Sequence, residues 1–498
     1  MVLDLSETTI DRLQELMASG ELTSRAITEW CLDRIAAVDP MLGSIIETNP
    51  EALDIADRLD AERAEGRLRG PLHGVPVALK DNIDTHDRMT TTAGSLALEG
   101  SIPPQDSFVA ARLREAGAVL VAKANMSEWA YFRGKRGTSG WSARGGQCHN
   151  PYSLDHNPCG SSSGSAVAVS ANLVPVAIGT ETNGSIMCPS SVNGIVGLKP
   201  TVGLWSRAGI IPISVSQDTA GPMGRSVADV AAVLGAGIGL DERDRATFTS
   251  VAHTVDDYRV HLDHDGLVGA RIGVARSFDG FDPRVLDAFE EALTVLTDAG
   301  AMLVDPVDVA GSRWADEAPR ALLEFEFKAG LDAYLSDLGD DSPIRSLAEL
   351  IDFNERHADV ELAHFGHELL VASQARGGLD DPAYLDAKRI VQGRHRANLD
   401  SVLLGIGRGG PLDAIVAPSR DPAWRTDYEN GDPRAGGSSA GPAAIAGYPN
   451  LTVPMGFVEG LPVGLSFFSR PWSEGRLLQL GFAYEQASGH RRPPELPT

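Results

Sequence analysis

Two serines of this chain stand in loops of small residues. Ser161 lies in Gly160-Ser161-Ser162-Ser163-Gly164, and Ser185 follows Thr180-Glu181-Thr182-Asn183-Gly184. Both fall within residues 158–201, a stretch dense in Gly and Ser, poor in charge, and long enough for a loop, a helix, a strand and a second loop. Small residues let backbone amides come close to a small molecule. Those before Ser185 could turn several N–H groups toward one point, as an anionic oxygen requires. A plain Asn-Gly turn is the alternative at Ser185. At Ser161 the alternatives are a flexible loop, a helix N-cap, or a phosphate cradle ahead of a helix. The Gly-Lys-Ser/Thr of a nucleotide-binding loop is missing.

A serine acts as a nucleophile only with a base or a metal beside it. Of twelve histidines, His149 and His156 lie near the serine loops in sequence, and both sit among polar neighbours typical of a solvated loop. The pattern Gly-x-Ser-x-Gly occurs around Ser162, but a polar loop precedes it instead of the strand a nucleophile elbow needs. It is absent around Ser185, and no His-Glu-x-x-His or comparable metal spacing appears, so no metal is expected. Lysine is the stronger base. Lys80 follows the apolar run Val75-Pro76-Val77-Ala78-Leu79, where its ammonium would be poorly solvated. Burial disfavours the charged form and leaves a neutral amine able to accept a proton. Lys123, after Val119-Leu120-Val121-Ala122, ranks second because the segment behind it reads as capping and wall.

Short apolar runs positioned around helical patterns must hold these residues. Residues 74–123 read as strand, helix and strand, which argues for a largely parallel sheet covered on both faces. Ahead of them, residues 5–39 read as two helices, the first capped by Ser6 and broken at Gly20, the second capped by Thr23 or Ser24 and stopped by Asp39-Pro40. A charged helix follows over about residues 51–65. Residues 125–157 form a long polar and aromatic segment whose Trp129, Tyr131, Phe132 and Trp141 make it a pocket wall rather than disorder. Strands resume near 271–275, 302–304, 414–418 and 451–454, with helices over about 227–234, 283–299 and 474–487. Residues 312–405 look mostly helical.

Composition bounds the function. The apolar fraction of 43% in 498 residues can build a sizeable core. A net charge of −25 repels phosphate backbones, so nucleic acid is not an expected partner. Four cysteines in so long a chain make no disulfide framework, and their spacing matches no zinc site. No basic, apolar leader and no run of about 18 apolar residues appears, so the expectation is a cytoplasmic protein that does not span a membrane.

Taken together, these segments resemble the amidase signature family. The resemblance is carried by Gly160-Ser161-Ser162, by Gly179 through Ser185, by Gly194-Ile195-Val196-Gly197-Leu198-Lys199-Pro200-Thr201, and by the upstream run from His73 to Asp81. The separation of 24 positions from Ser161 to Ser185 matches the family's spacing. The match continues through residues 216–222 and 449–454 and covers nearly the whole chain. Within the family, Ser139-Gly140-Trp141-Ser142, residues 159–165 and residues 201–207 look most like bacterial peptide amidases, which remove the C-terminal amide of a peptide and release ammonia.

The resemblance implies one α/β domain over residues 1–498, built on a large, mixed, mostly parallel sheet flanked by helices on both faces. Residues 1–70 would wrap it, and the helical segment 312–405 would shape the pocket. Ser185 would be the nucleophile, Ser161 the bridging serine after a cis peptide bond, and Lys80 the base. Thr182, Asn183 and Gly184 would hold the oxyanion with Ser185, and Trp129, Ala130 and Asp218 would contact substrate. No cofactor is needed, and the molecule would act on a small or peptide amide as a monomer or homodimer. Asn183 stands where the family commonly has glycine, so its side chain could reach the substrate amide, and Ser163 likewise replaces a glycine. A general aliphatic or aryl amidase, or an acylamide hydrolase, is the nearest alternative. The amidase-type component of a glutamyl-tRNA amidotransferase is a more distant one.

Overall fold

Apolar runs too short for helices and bounded by glycine or proline become buried strands when helices cover both faces. The computed structural model describes residues 4–278, 280–309, 317–339, 342–433 and 436–496. Its strands are β1 (Ile45–Thr48), β2 (Pro76–Lys80), β3 (Val119–Ala124), β4 (Trp141–Ser142), β5 (Gly146–Gln147), β6 (Val176–Glu181) and β7 (Val196–Lys199). They continue with β8 (Thr219–Gly224), β9 (Arg271–Ala275), β10 (Met302–Val307), β11 (Ala414–Pro418), β12 (Asn450–Val458) and β13 (Leu461–Phe468). All but β4 and β5 join one mixed sheet in the order β1-β3-β2-β6-β8-β7-β12-β13-β11-β9-β10. Parallel pairing falls in two runs, β3-β2-β6 and β11-β9-β10, where strand–helix–strand connections occur. The strands between and beside them pair antiparallel.

Every residue of β2, β3 and β6 is buried, as the continuous apolar runs require. One apolar core packs Val77, Leu79, Leu120 and Ile178 against the helices Phe108–Glu115 and Val227–Ala236. A second packs Ala78, Val119, Val121 and Ala177 against the helices Ser24–Val38, Ala52–Ala64 and Ser163–Ser170. Of the helices in residues 317–403, Pro382–Leu403 packs Leu399, Val402 and Leu403 against Val307, Ile415 and Phe468 of the sheet, while Leu323, Phe327 and Leu331 build a separate cluster with Trp129 and Phe132.

Local differences from the sequence reading have local causes. The first helix, Ile10–Ser19, is capped by Thr9, whose hydroxyl accepts from the Arg12 N–H, and Ser6 lies too far upstream. The helix at residue 227 runs through Gly235 to Ala236. Strand β13 was not expected because Pro462 and Gly464 interrupt its pattern. It forms because Glu459 and Gly460, at φ 51° and 82°, turn β12 directly back on itself, with Val458 opposite Leu461. The cysteines also need correction. Cys159 and Cys188 are disulfide-bonded with Cα atoms 6.0 Å apart, because the two serine loops bring them together, while Cys31 and Cys148 are free and buried. Among the described residues, no helix is long and apolar enough to cross a membrane.

Candidate active site

Strands β2 and β6 are parallel neighbours, so their C-terminal ends open on the same edge of the sheet. Lys80 is the last residue of β2 and Thr180 the penultimate residue of β6. The Lys80 Nζ donates to Ser161 Oγ at 2.7 Å, to Thr180 Oγ1 at 2.8 Å and to the Thr180 carbonyl at 3.2 Å. Asn82 steadies this acceptor, its Nδ2 donating to Thr180 Oγ1 at 3.1 Å. Lys80 is wholly buried. Burial pushes its ammonium down to about 7, against the opposing pull of the Asp218 and Glu181 carboxylates. Near neutral pH the amine is therefore partly uncharged. With its lone pair free, it can accept a proton from the hydroxyl of Ser161.

The Ser161 loop is fixed to the same strand end. The Gly160–Ser161 peptide bond is cis. Ser162 Oγ accepts from the Thr180 N–H at 3.1 Å and donates to the Thr180 carbonyl at 3.0 Å, and the Ser161 carbonyl accepts from the Ser127 N–H at 3.1 Å. A Cβ at Gly160 would collide with Ser127 Oγ, which explains the glycine. The Ser162 N–H donates to the Ser185 carbonyl at 3.1 Å, joining the first loop to the second. The disulfide between Cys159 and Cys188 ties the same two loops one step outside these contacts.

Ser185 is half-buried on a turn between β6 and the helix Met187–Val192. Gly184 has φ +88°, a conformation that side chains rarely adopt. The Glu181 carboxylate accepts from the N–H groups of Ile186 and Met187 at 2.7 and 3.0 Å, fixing the chain just past Ser185 and capping the helix start. On the other side, the Thr182 hydroxyl donates to Asp218 Oδ1 at 2.6 Å, while Asp218 Oδ2 accepts from the Ile213 and Ser214 N–H groups at 2.7 Å each. Burial pushes the Asp218 carboxyl up to about 6, against these hydrogen bonds.

Of the residues expected at the site, Lys80, Ser161, Thr182, Asn183, Gly184 and Ser185 converge on this edge. A narrow cleft beside them is lined by Asn82, Ala130, Thr180, Thr182, Arg207 and Asp218. Ala130 is presented by an unusual turn, with φ of 50°, 53° and 73° at Trp129, Ala130 and Tyr131. Trp129 itself packs into the apolar cluster with Phe132 and Phe327. Lys123, the rival base, donates to the Ile83 carbonyl and Thr91 Oγ1, both at 2.7 Å, away from either serine. His149 and His156 bond within their own loop, to Leu154, Ser153 and Asp155.

Three residues that the sequence reading passed over complete the geometry: Asn82, Thr180 and Glu181. For Glu181 a signal existed, an acidic residue just ahead of a helix start. Thr180 and Asn82 carried none, because their role depends on β2 and β6 lying side by side.

The chain is similar to known amidases along nearly its whole length. The amidase family model matches residues 26–478. A native peptide amidase from Stenotrophomonas maltophilia is 52% identical, with a TM-score of 0.94 and 99% of each chain covered. A probable amidase from Arabidopsis thaliana is 39% identical over 99% of this chain and 92% of its own length. An amidase family protein from Bacillus anthracis is 36% identical, with a TM-score of 0.89, over 99% of this chain and 93% of its own.

Proposed function

Because the chain belongs to the amidase family, we propose that it removes the C-terminal amide of peptides and releases ammonia through Ser185, Ser161 and Lys80. It is a hydrolase of amide C–N bonds. The observation that carries the mechanism is the buried Lys80, its Nζ 2.7 Å from Ser161 Oγ and its ammonium pushed down to about 7.

Neutral Lys80 takes the proton of Ser161, which takes that of Ser185 as its Oγ attacks the carboxamide carbon. The new C–O bond forms as the C=O electron pair moves to oxygen, where N–H groups around residues 182–185 hold the charge. As the C–N bond breaks, Lys80 returns a proton through Ser161 to the leaving nitrogen, giving ammonia and an acyl-Ser185 ester. Water then attacks the ester, giving its proton to the same relay, and Ser185 regains its proton as the carboxylic acid leaves.

Likeness to the Stenotrophomonas enzyme supports the peptide amide as substrate. We infer further that residues 1–498 act as one domain, with the helical segment 312–405 shaping the pocket, and that the protein works as a monomer or homodimer without cofactor or nucleic acid. Ammonia release from a peptide amide, benzamide and an anilide tests the substrate class, and the peptide amide is expected to be turned over fastest. Ser185→Ala should abolish release and labelling by a fluorophosphonate. Preference for benzamide or the anilide would favour a general amidase. Glutaminase activity that needs added partner chains would favour the amidotransferase reading, which the charge of −25 opposes.

A further inference from the structure

We propose that Glu326, carried on the helix Glu317–Asp337 outside the sheet, is a positioning residue for the loop that bears Ser185. The inference rests on the serine-amidase reading and adds to it the element that holds the oxyanion loop in place.

Glu326 is 2% exposed and lies in the helical segment, far in sequence from both serine loops. Four donors converge on its carboxylate. Tyr384 OH and Ser216 Oγ donate to Oε1 at 2.9 and 2.5 Å, while the Ser216 N–H at 3.1 Å and the Ser214 hydroxyl donate to Oε2. Ser214 and Ser216 flank Val215, which is 55% exposed. The two serines draw the loop tip inward to Glu326. Arg207 grips the same tip from the other side, its Nη1 donating to the Val215 carbonyl, while its guanidinium pairs with Asp244.

What this loop does next gives Glu326 a role in the reaction. Its N–H groups at Ile213 and Ser214 hold Asp218 Oδ2, and Asp218 Oδ1 holds the Thr182 hydroxyl. Thr182 is the first residue after β6 and lies three before the nucleophile. A connected run of hydrogen bonds therefore joins a helix of the 312–405 segment to the start of the Ser185 turn. Donor groups aimed at a developing oxyanion lose much of their effect when displaced by a fraction of an ångström, so holding Thr182 sets the rate and not the affinity. Glu181 fixes the far side of the turn and the Glu326 run fixes the near side.

The test reads Ser185 reactivity without needing the natural amide: the rate of fluorophosphonate labelling, followed by intact mass, alongside kcat and KM for a peptide amide. In Glu326→Gln, the hydroxyls of Ser216 and Tyr384 can turn to accept from the new amide, so the fold is expected to survive. Labelling and kcat are expected to fall about 10-fold, with KM within twofold, as befits loss of a charge-assisted hydrogen bond. Combined with Asp218→Asn, the double variant should label no more than about twofold slower than Asp218→Asn alone, because both act through one connection. A merely structural role would make the two losses multiply. If Glu326→Gln fails to fold, Ser216→Ala is measured in the same cycle with the same expectations. Labelling at the wild-type rate, multiplicative losses, or a change confined to KM overturns the proposal. A wild-type protein that neither labels nor releases ammonia overturns the serine-amidase reading itself.

Discussion

In the proposed mechanism, the pH dependence of the reaction follows from the burial of Lys80. A lysine at its usual 10.5 has about one amine in three thousand uncharged at pH 7, whereas one pushed down to about 7 has half. That displacement corresponds to about 5 kcal/mol in favour of the neutral form. A base that must be neutral gives kcat/KM an acid limb at its own midpoint in the free enzyme. Ammonia release measured between pH 5.5 and 9.5 should therefore rise tenfold per pH unit below the limb, bend near pH 7 and flatten above about pH 8. Lys80→Ala should lose at least about 10³-fold at the plateau, the upper part of the range for a general base. Asp218→Asn should move the bend to lower pH, since the Asp218 carboxylate helps retain the ammonium. The same displacement shapes stability. Between about 7 and 10.5 the unfolded chain binds a proton at Lys80 that the folded one does not, so this group makes the fold more stable as pH rises. Its cost is fully present below about 7 and is relieved as pH approaches 10.5. Urea unfolding of Lys80→Met should lack that part of the slope. A wild-type limb at pH 9 or above, or a Lys80→Ala variant active at neutral pH, would refute the reasoning.

Two further outcomes test how the loops are held. Removing the Cys159–Cys188 bridge, by paired Ala substitutions, opens a link across 29 residues and should cost about 3–4 kcal/mol in chemical denaturation. Gly160→Ala places a methyl group against Ser127 Oγ, which accepts from the Gly140 N–H at 2.9 Å. We expect about 1–3 kcal/mol of destabilisation from the overpacking. Its fluorophosphonate labelling should be slower even where the protein remains folded, because Ser161 moves with its neighbour.

The residues gathered at the candidate site were more legible than their support. Lys80 could be found because a lysine at the end of a five-residue apolar strand has nowhere to be solvated. The serine loops announced themselves by small residues, and the structure explains that composition in contacts such as Gly160 against Ser127. What could not be read were relations between distant strands. Thr180 looks like an ordinary loop threonine until β6 is paired with β2, when its hydroxyl and carbonyl become partners of Lys80. Cys159 and Cys188 gave no spacing signal, because their approach is produced by the meeting of two loops. Trp129 was legible as part of a wall, but its side chain packs into the apolar cluster while Ala130 reaches the cleft, a difference set by three consecutive positive φ angles. Strand β13 was hidden by a proline and a glycine that a long hairpin tolerates.

The placement of Lys80, Ser161 and Ser185 follows from strand direction. In a parallel pair, both C-terminal ends face the same way, and ligands gather where the loops leave those ends. Lys80 leaves β2 there, and residues 182–185 leave β6 there. Ser161 must reach the same edge although it precedes β6. It does so because the helix Ser163–Ser170 runs back along the sheet before the chain enters β6, putting the helix start beside the strand end. The Ser162–Thr180 hydrogen bonds in both directions are the direct consequence. Lys80 and Ser161 thus meet at 2.7 Å, Lys80 on a strand and Ser161 two residues before a helix, so both backbones are held by secondary structure at or next to them. The Ser185 turn is the exception, held by carboxylates at both ends, Glu181 ahead of the helix and Asp218 at Thr182. Its rigidity depends on buried acids that can be altered singly, so the rate should be more sensitive to those supports than the fold is.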